Sequence, residues 1–337
     1  MPDVFDAAPK VELHLHLEGA IPLDTLWTLI EGHGGDPSTP DISALRSRFA
    51  YRDFTHFIET WLWMTDYLRS EEDFTLAAEA VARELDRQKV VYAEASFSPT
   101  DFARHGLTPQ QLAAAIRRGL DRVPGTRIVL NADLVRDTGP EHCGRTLDAI
   151  LEVADDADVR GITIGGSERE YPPEQFASVY ARAAAEGMRL TAHAGEAAGP
   201  ASIRGALEAL RVERIGHGVR AVEDAALLAH LVERQTPLEV CPTSNIRTGV
   251  AADWESHPIH TLLEVGANVT VNSDDPTFFS SSLADEFRRL AKGAAPGMET
   301  LTLAAIDASW LDGPDKAWLA GLVRAWWAER TAIRWAP

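Results

Sequence analysis

The sequence predicts an α/β fold, a (β/α)8 TIM barrel with a helical lid inserted after strand 1 and further helices at the C-terminus. Three observations carry that prediction. About eight short apolar runs alternate with stretches of helical spacing, the order in which a parallel barrel is built. Several runs end in histidines or acids, where such a barrel gathers its chemistry. The chain of 337 residues has room for a sizeable core, and residues 1–337 read as one domain with no internal repeat, low-complexity tract or boundary.

The first strand is the stretch Val11-Glu12-Leu13-His14-Leu15-His16-Leu17-Glu18-Gly19. Apolar and polar residues alternate in it, so His14 and His16 share one face and Leu13, Leu15 and Leu17 the other. From Ile21 to Gln88 no strand is evident. Asp24 to Glu31, Phe54 to Leu68 and Glu71 to Lys89 have helical spacing, punctuated by Gly32, Gly34, Gly35, Pro37 and Pro40, and form the lid. Its aromatic stripe, Phe54, Phe57, Trp61 and Tyr67, reads as packing. Strands are then expected at Val90 to Phe97, Arg127 to Leu134, Val159 to Ile164, Met188 to His193, Arg214 to His217, Leu238 to Cys241 and Asn268 to Asn272, with helices between them. The tail, Met298 to Pro337, reads as two helices rich in Trp (Trp310, Trp318, Trp326, Trp327) packed on the outside of the barrel.

Composition narrows the function. The formal charge of −19 with no basic run argues against nucleic acid and anionic membranes as partners. No apolar run is long enough to span a bilayer, and the start of the chain lacks the pattern of a secretory signal. The two cysteines, Cys143 and Cys241, suit a reducing cytoplasm rather than a disulfide framework. Nothing in the sequence selects an oligomeric state.

The chemistry sits at the strand ends. His14, His16, His193 and Asp274 offer three imidazoles and a carboxylate, a nitrogen and oxygen set that suits one zinc ion ahead of iron or manganese. Such an ion lowers the pKa of a bound water from 15.7 to roughly 7. Glu196, three residues beyond His193, can carry protons to a substrate nitrogen, and His217, between Gly216 and Gly218, can orient the nucleophile. Asp274 and Asp275 lie where the pleat breaks up, so one can bind metal and the other substrate. His33, His56, His105, His142, His230, His257 and His260 lack metal spacing and read as structural or solvated. Cys241 reads as a small buried strand residue.

The motifs from Pro9 to Gly19, His193-Ala194-Gly195-Glu196, Arg214-Ile215-Gly216-His217-Gly218, Cys241-Pro242-Thr243-Ser244-Asn245 and Asn272-Ser273-Asp274-Asp275-Pro276 resemble, in order, those of the adenosine and adenine deaminases of the amidohydrolase superfamily. The resemblance implies zinc-dependent hydrolytic deamination of a small-molecule purine nucleoside, with hydroxide on the metal attacking C6. It implies that Glu196 protonates N1, that His217 and Asp274 steer the hydroxide, and that Asp275 and the Gly166 backbone N–H contact N7 and N3. His16 and Glu18 then border the substrate. The H-x-E and C-x-x-C signature of the other zinc deaminases is absent. Thr163-Ile164-Gly165-Gly166 stands where two-metal relatives have a bridging lysine, which favours one metal.

Three departures bear on substrate. Glu18 stands where adenosine deaminases usually carry Asp, and Ser96-Phe97-Ser98-Pro99 replaces their Arg-Tyr-Ser-Pro. Gly165-Gly166-Ser167-Glu168 is closer to the nucleoside enzymes than to adenine deaminases. Adenosine or 2′-deoxyadenosine is therefore the first expectation. The alternative is a 5′-modified adenosine such as 6-aminodeoxyfutalosine, whose substituent Ser96 and Ser98 could receive. Adenine deamination, hydrolysis of a cyclic amide, and a catalytically silent binding protein are more distant readings.

Overall fold

The computed structural model describes residues 3–50, 54–292 and 297–332. Eight strands run β1 Lys10–His16, β2 Val90–Phe97, β3 Arg127–Asp133, β4 Val159–Thr163, β5 Arg189–Ala194, β6 Arg214–His217, β7 Leu238–Val240 and β8 Val269–Val271. They lie side by side in sequence order, every neighbouring pair parallel. Helices fill the connections, as parallel strands require. The expected (β/α)8 barrel is what forms.

The ring is closed by the turn after β8. Asp274 bridges Leu15 in parallel register. The Asp274 N–H donates to the His14 carbonyl at 3.0 Å and the His16 N–H to the Asp274 carbonyl at 2.9 Å, while the Leu13 N–H donates to Asn272 Oδ1 at 2.9 Å. The first and last strands are thus joined through residues of the predicted site.

Simple alternation fails along β1. The register with β2 slips between Lys10 and Val11 and again between Glu12 and Leu15, an irregularity of the kind that re-aims side chains. Val11 and Leu13 therefore join Tyr92, Val129, Ile306 and Val323 in a small core, whereas Leu15 and Leu17 join the main one. The three leucines do not form one layer.

The insertion after β1 carries the three expected helices, Leu23–Gly32, Phe54–Thr65 and Glu71–Arg87, and a fourth, Ile42–Arg48. That fourth helix is short and lies among Pro and Gly, so its period is weak, yet Asp41 caps it by accepting from the Ala44 N–H at 2.8 Å. The helix Glu71–Arg87 starts in a capping box between Ser70 and Asp73. Trp61 and Phe49 pack on Phe278, with ring centroids 5.4 and 4.9 Å away, which seats the insertion on the helix Pro276–Phe279 just beyond Asp275. The side chains of Phe54 and Phe57 lie outside the described residues.

The tail forms the helices Met298–Ala308 and Gly313–Ala332, but it is not merely external. Trp318 is exposed, whereas the backbone of Trp310 donates to the buried Glu94 on β2 at 2.8 Å. Gly161 on β4 provides the room, since a Cβ there would strike the Trp310 ring. Helical spacing shows a buried face but not what it meets, so this contact between the tail and two strands was invisible. No helix among the described residues is long and apolar enough to cross a membrane.

Candidate metal and active site

The strand ends bring His14 and His16 (β1), His193 (β5), His217 (β6) and Asp274 (after β8) together. The imidazole centroids of His14 lie 5.5, 4.6 and 4.9 Å from those of His16, His193 and His217. Asp274 Oδ1 is 3.7 Å from His14 Nε2 and 3.5 Å from His16 Nε2, and Oδ2 is 3.8 Å from His217 Nε2. Ligand atoms of His14, His16 and His193 lie within 4.8 Å of one another. Four ligands around one zinc at ordinary bond lengths sit roughly 3.3 Å apart; Asp274 is near that spacing from His14 and His16, whereas the close set of His14, His16 and His193 does not include Asp274, so gripping one ion would draw His193 and Asp274 together.

Local backbone explains how the side chains converge. His217 and Asp274 have φ of 62° and 63°, the left-handed region that costs a non-glycine residue about 1–3 kcal/mol and persists where surrounding contacts impose it. Gly216 leaves room for His14, because a Cβ there would lie 3.0 Å from His14 Cε1. Gly19 does the same for Asp275, whose carboxyl occupies the place of a Gly19 Cβ.

Partners on the far side of each group fix its orientation. His14 Nδ1 lies 2.9 Å from Glu239 Oε2, which leaves the buried Nε2 without a hydrogen-bond partner and facing the cluster. A carboxylate behind an imidazole in this way holds ring and tautomer for a metal. His217 Nδ1 is 3.1 Å from the Asn245 amide, and its buried Nε2 is likewise unpartnered. Unsatisfied buried nitrogens are costly, and two of them aimed at one carboxylate are what a cation would complete.

Burial and neighbouring charge set the protonation. Burial and the adjacent imidazoles push His193 well below the usual histidine range, while burial also lowers His16. His14 goes the other way, to about 9, because Glu239 and Asp274 overcome burial. Burial works against the Asp274 carboxylate, yet His217, His14 and His16 hold its pKa down. Burial, with Asp274 and Glu18 close by, pushes Asp275 well above the carboxylate range; its Oδ1 has no partner. Although Asp275 precedes the helix Pro276–Phe279, its side chain makes no cap. A cation must therefore displace a proton from His14, and zinc affinity is expected to rise about tenfold per pH unit up to about 9. Calorimetry at pH 7 in buffers of differing ionisation enthalpy should detect about one proton released per ion; none released would contradict it.

Glu196 is partly exposed, with Oε2 3.5 Å from His217 Nε2 and 3.8 Å from His193 Nδ1. Its loop is anchored by a residue the sequence reading left without a role: Glu168 accepts the N–H groups of Glu196 and Ala198 at 3.2 and 2.7 Å, and that of Gly195. Arg136, fully buried, donates to the carbonyls of His193 at 2.6 Å and Ile164 at 3.1 Å and ties the ends of β4 and β5 together. The position of Glu168 after the paired glycines closing β4 was the available signal; nothing in sequence marked Arg136. Gly166 has a φ of +96°, and a side chain there would meet Asp137.

Glu18 is fully buried. Its Oε1 accepts the Ser98 N–H at 3.0 Å, its Oε2 has no partner, and burial raises its pKa to about 8. Cys241 is buried with a thiol pushed well above its ordinary pKa by burial; its sulfur lies near the nitrogens of His14 and His217, closer to the site than a purely structural reading implies. A cavity of about 390 Å³ lies between β1 and the helix Glu71–Arg87, lined by Glu12, Leu15 and Ser273 among others, but by none of the clustered histidines.

A family model described as adenosine deaminase matches residues 9–326. The aminodeoxyfutalosine deaminase of Streptomyces avermitilis is 37% identical over 315 residues, 90% of this chain and 87% of that protein. The adenine deaminase of Bordetella avium is 39% identical over 293 residues, 86% of this chain and 92% of that one. Among solved structures, the adenine deaminase from Arthrobacter aurescens superposes with a TM-score of 0.89 at 33% identity, covering 95% of this chain and 99% of that one. An amidohydrolase from Burkholderia ambifaria, solved with bound Zn, gives a TM-score of 0.86 at 28% identity over 98% and 92% of the two chains.

Proposed function

The chain belongs to the adenosine deaminase family of hydrolytic deaminases, and from that premise we propose that it replaces the C6 amino group of a 5′-modified adenosine, such as 6-aminodeoxyfutalosine, with oxygen, releasing ammonia. The observation that carries the reaction type is the convergence of His14, His16 and Asp274 within 3.5–3.7 Å, with Glu196 on the same side. We assign one zinc ion per chain to His14, His16, His193 and Asp274. When bound, zinc supplies the Lewis acidity that makes water a nucleophile at neutral pH.

The chain's own residues do the rest. Glu196 gives a proton to N1 of the purine, which leaves C6 open to attack, passes one proton of the attacking water to the departing amino group, and is itself restored by the water's second proton as the C6 carbonyl forms. His217, 3.5 Å from Glu196 and oriented by Asn245, holds the attacking water. Asp275, whose burial favours the protonated form, donates to N7, and the Gly166 N–H meets N3. Water and amine exchange places, and protons are conserved.

The substrate reading rests on Glu18 and on the relatives. A Glu18 carboxyl with a pKa near 8 is neutral at pH 7 and does not repel a substituent that ends in a carboxylate, which we assign to the Ser96 and Ser98 hydroxyls. The relative named aminodeoxyfutalosine deaminase favours this substrate over plain adenosine. Adenine is the second reading: the longer Glu18 side chain, buried and tied to Ser98, takes up room beside the site, and two of the proteins compared are adenine deaminases. Steady-state kcat/KM on the zinc-loaded enzyme separates the cases. Aminodeoxyfutalosine is expected to exceed adenosine and adenine by at least tenfold. Adenine in first place would establish the second reading, and adenosine tenfold ahead of aminodeoxyfutalosine would overturn the first.

A further inference from the structure

Beneath the histidines lies a second charged cluster that the reaction does not touch. Arg214 on β6 pairs with Glu239 on β7 through Nε at 2.6 Å and with Glu94 on β2 through Nη2. All three side chains are 1% exposed. Glu239 reaches upward to His14 Nδ1 at 2.9 Å, and Thr191 Oγ1 lies 3.4 Å from its Oε1. Glu94 also accepts the Tyr92 hydroxyl at 2.9 Å. The floor of this cluster comes from the other end of the chain. The Trp310 ring lies 4.1 Å from the Arg214 guanidinium carbon, the Trp310 N–H donates to Glu94 Oε1 at 2.8 Å, and the Ala308 carbonyl accepts from Arg214 Nη1 at 3.0 Å.

We infer that the Ala308–Trp310 segment is a positioning element for the metal site, acting through Arg214 and Glu239 on the orientation of His14. A guanidinium has five donors in a rigid fork. Here two carboxylates, a carbonyl and an aromatic face occupy its surroundings, so Glu239 has one place to sit and His14 one ring orientation. The indole N–H of Trp310 has no hydrogen-bond partner. The residue therefore works through its ring face and its backbone, and an aromatic replacement retains both. Removing the face opens the floor, frees Arg214 to turn toward solvent, and loosens the carboxylate behind His14. Loss of such an outer partner typically weakens metal binding by about 10–100-fold.

The inference rests on the assignment of zinc to His14 and its neighbours. The test measures zinc release to a chromophoric chelator from the full-length holoprotein, comparing the parent with Trp310→Leu, Trp310→Phe and Trp318→Ala. Trp310→Leu keeps apolar bulk without a ring and is expected to release zinc at least tenfold faster, with broadening of the exchange-protected Nδ1 proton resonance of His14. Trp310→Phe is expected to stay within threefold of the parent, and Trp318→Ala, on an exposed part of the same tail, to match it. Should Trp310→Leu not fold, Trp310→Met, which also fills the space without a ring, carries the same expectation. Zinc release within twofold of the parent when the ring is removed, or equal acceleration by Trp318→Ala, would overturn the inference. A parent that holds no zinc would instead remove the metal assignment and this inference with it.

Discussion

Glu196→Gln is expected to lower kcat by about 10²–10⁴-fold while the zinc content stays at one ion per chain. Glutamine keeps the size of the side chain and leaves the backbone N–H bonds to Glu168 intact, so the loop does not move. What it cannot do is deliver a proton to N1 and recover one from water. Its amide retains the place beside His217, 3.5 Å away, and KM should change much less than kcat. A loss below tenfold would take the proton-carrying role from Glu196. Loss of zinc together with activity would make Glu196 a ligand, a possibility the proximity of His193, Glu196 and His217 makes worth measuring.

The largest stability effect is expected from Arg214→Met. Arg214 lies between Glu94 and Glu239, and methionine leaves Glu94 in the barrel interior without a counter-charge and Glu239 with His14 alone. Breaking a buried ion pair in this way costs about 3–5 kcal/mol, readable as a lower urea midpoint in metal-free protein. The pH dependence gives a second readout. Burial works against ionised Glu239, but Arg214 and His14 hold its pKa at about 2, below the ordinary 4.5. In the parent its contribution is therefore complete above 4.5 and fades as pH falls toward about 2. Without Arg214 the two carboxyls take up protons more readily, so the deficit should shrink on acidification. Destabilisation under about 1 kcal/mol, the range of exposed pairs, would show that the pair is not held as the structure has it.

The site was far more legible in the sequence than what supports it. Residues to which the chemistry is assigned announce themselves locally: His14 and His16 by alternation, and His193, Glu196, His217 and Asp274 by standing where apolar runs end. Their supports are fixed by contacts between distant parts of the chain. Arg214 was quoted as part of a motif, yet its partners Glu94 and Glu239 lie on other strands, 120 and 25 residues away, and no local pattern pairs them. Glu168 and Arg136 act on backbone atoms of other segments, which leave no trace in side-chain spacing. The strand order followed from periodicity alone, whereas short helices such as Ile42–Arg48 did not. The slip in β1 did not, because a bulge is decided by which residues its neighbour presents.

Joining β1 to the turn after β8 has a consequence for synthesis. A ribosome makes His14 and His16 long before Asp274, so a chain interrupted just before Asp274 has an open cylinder and lacks one of the four assigned ligands. C-terminal truncations short of Asp274 are therefore expected to yield no partly active product.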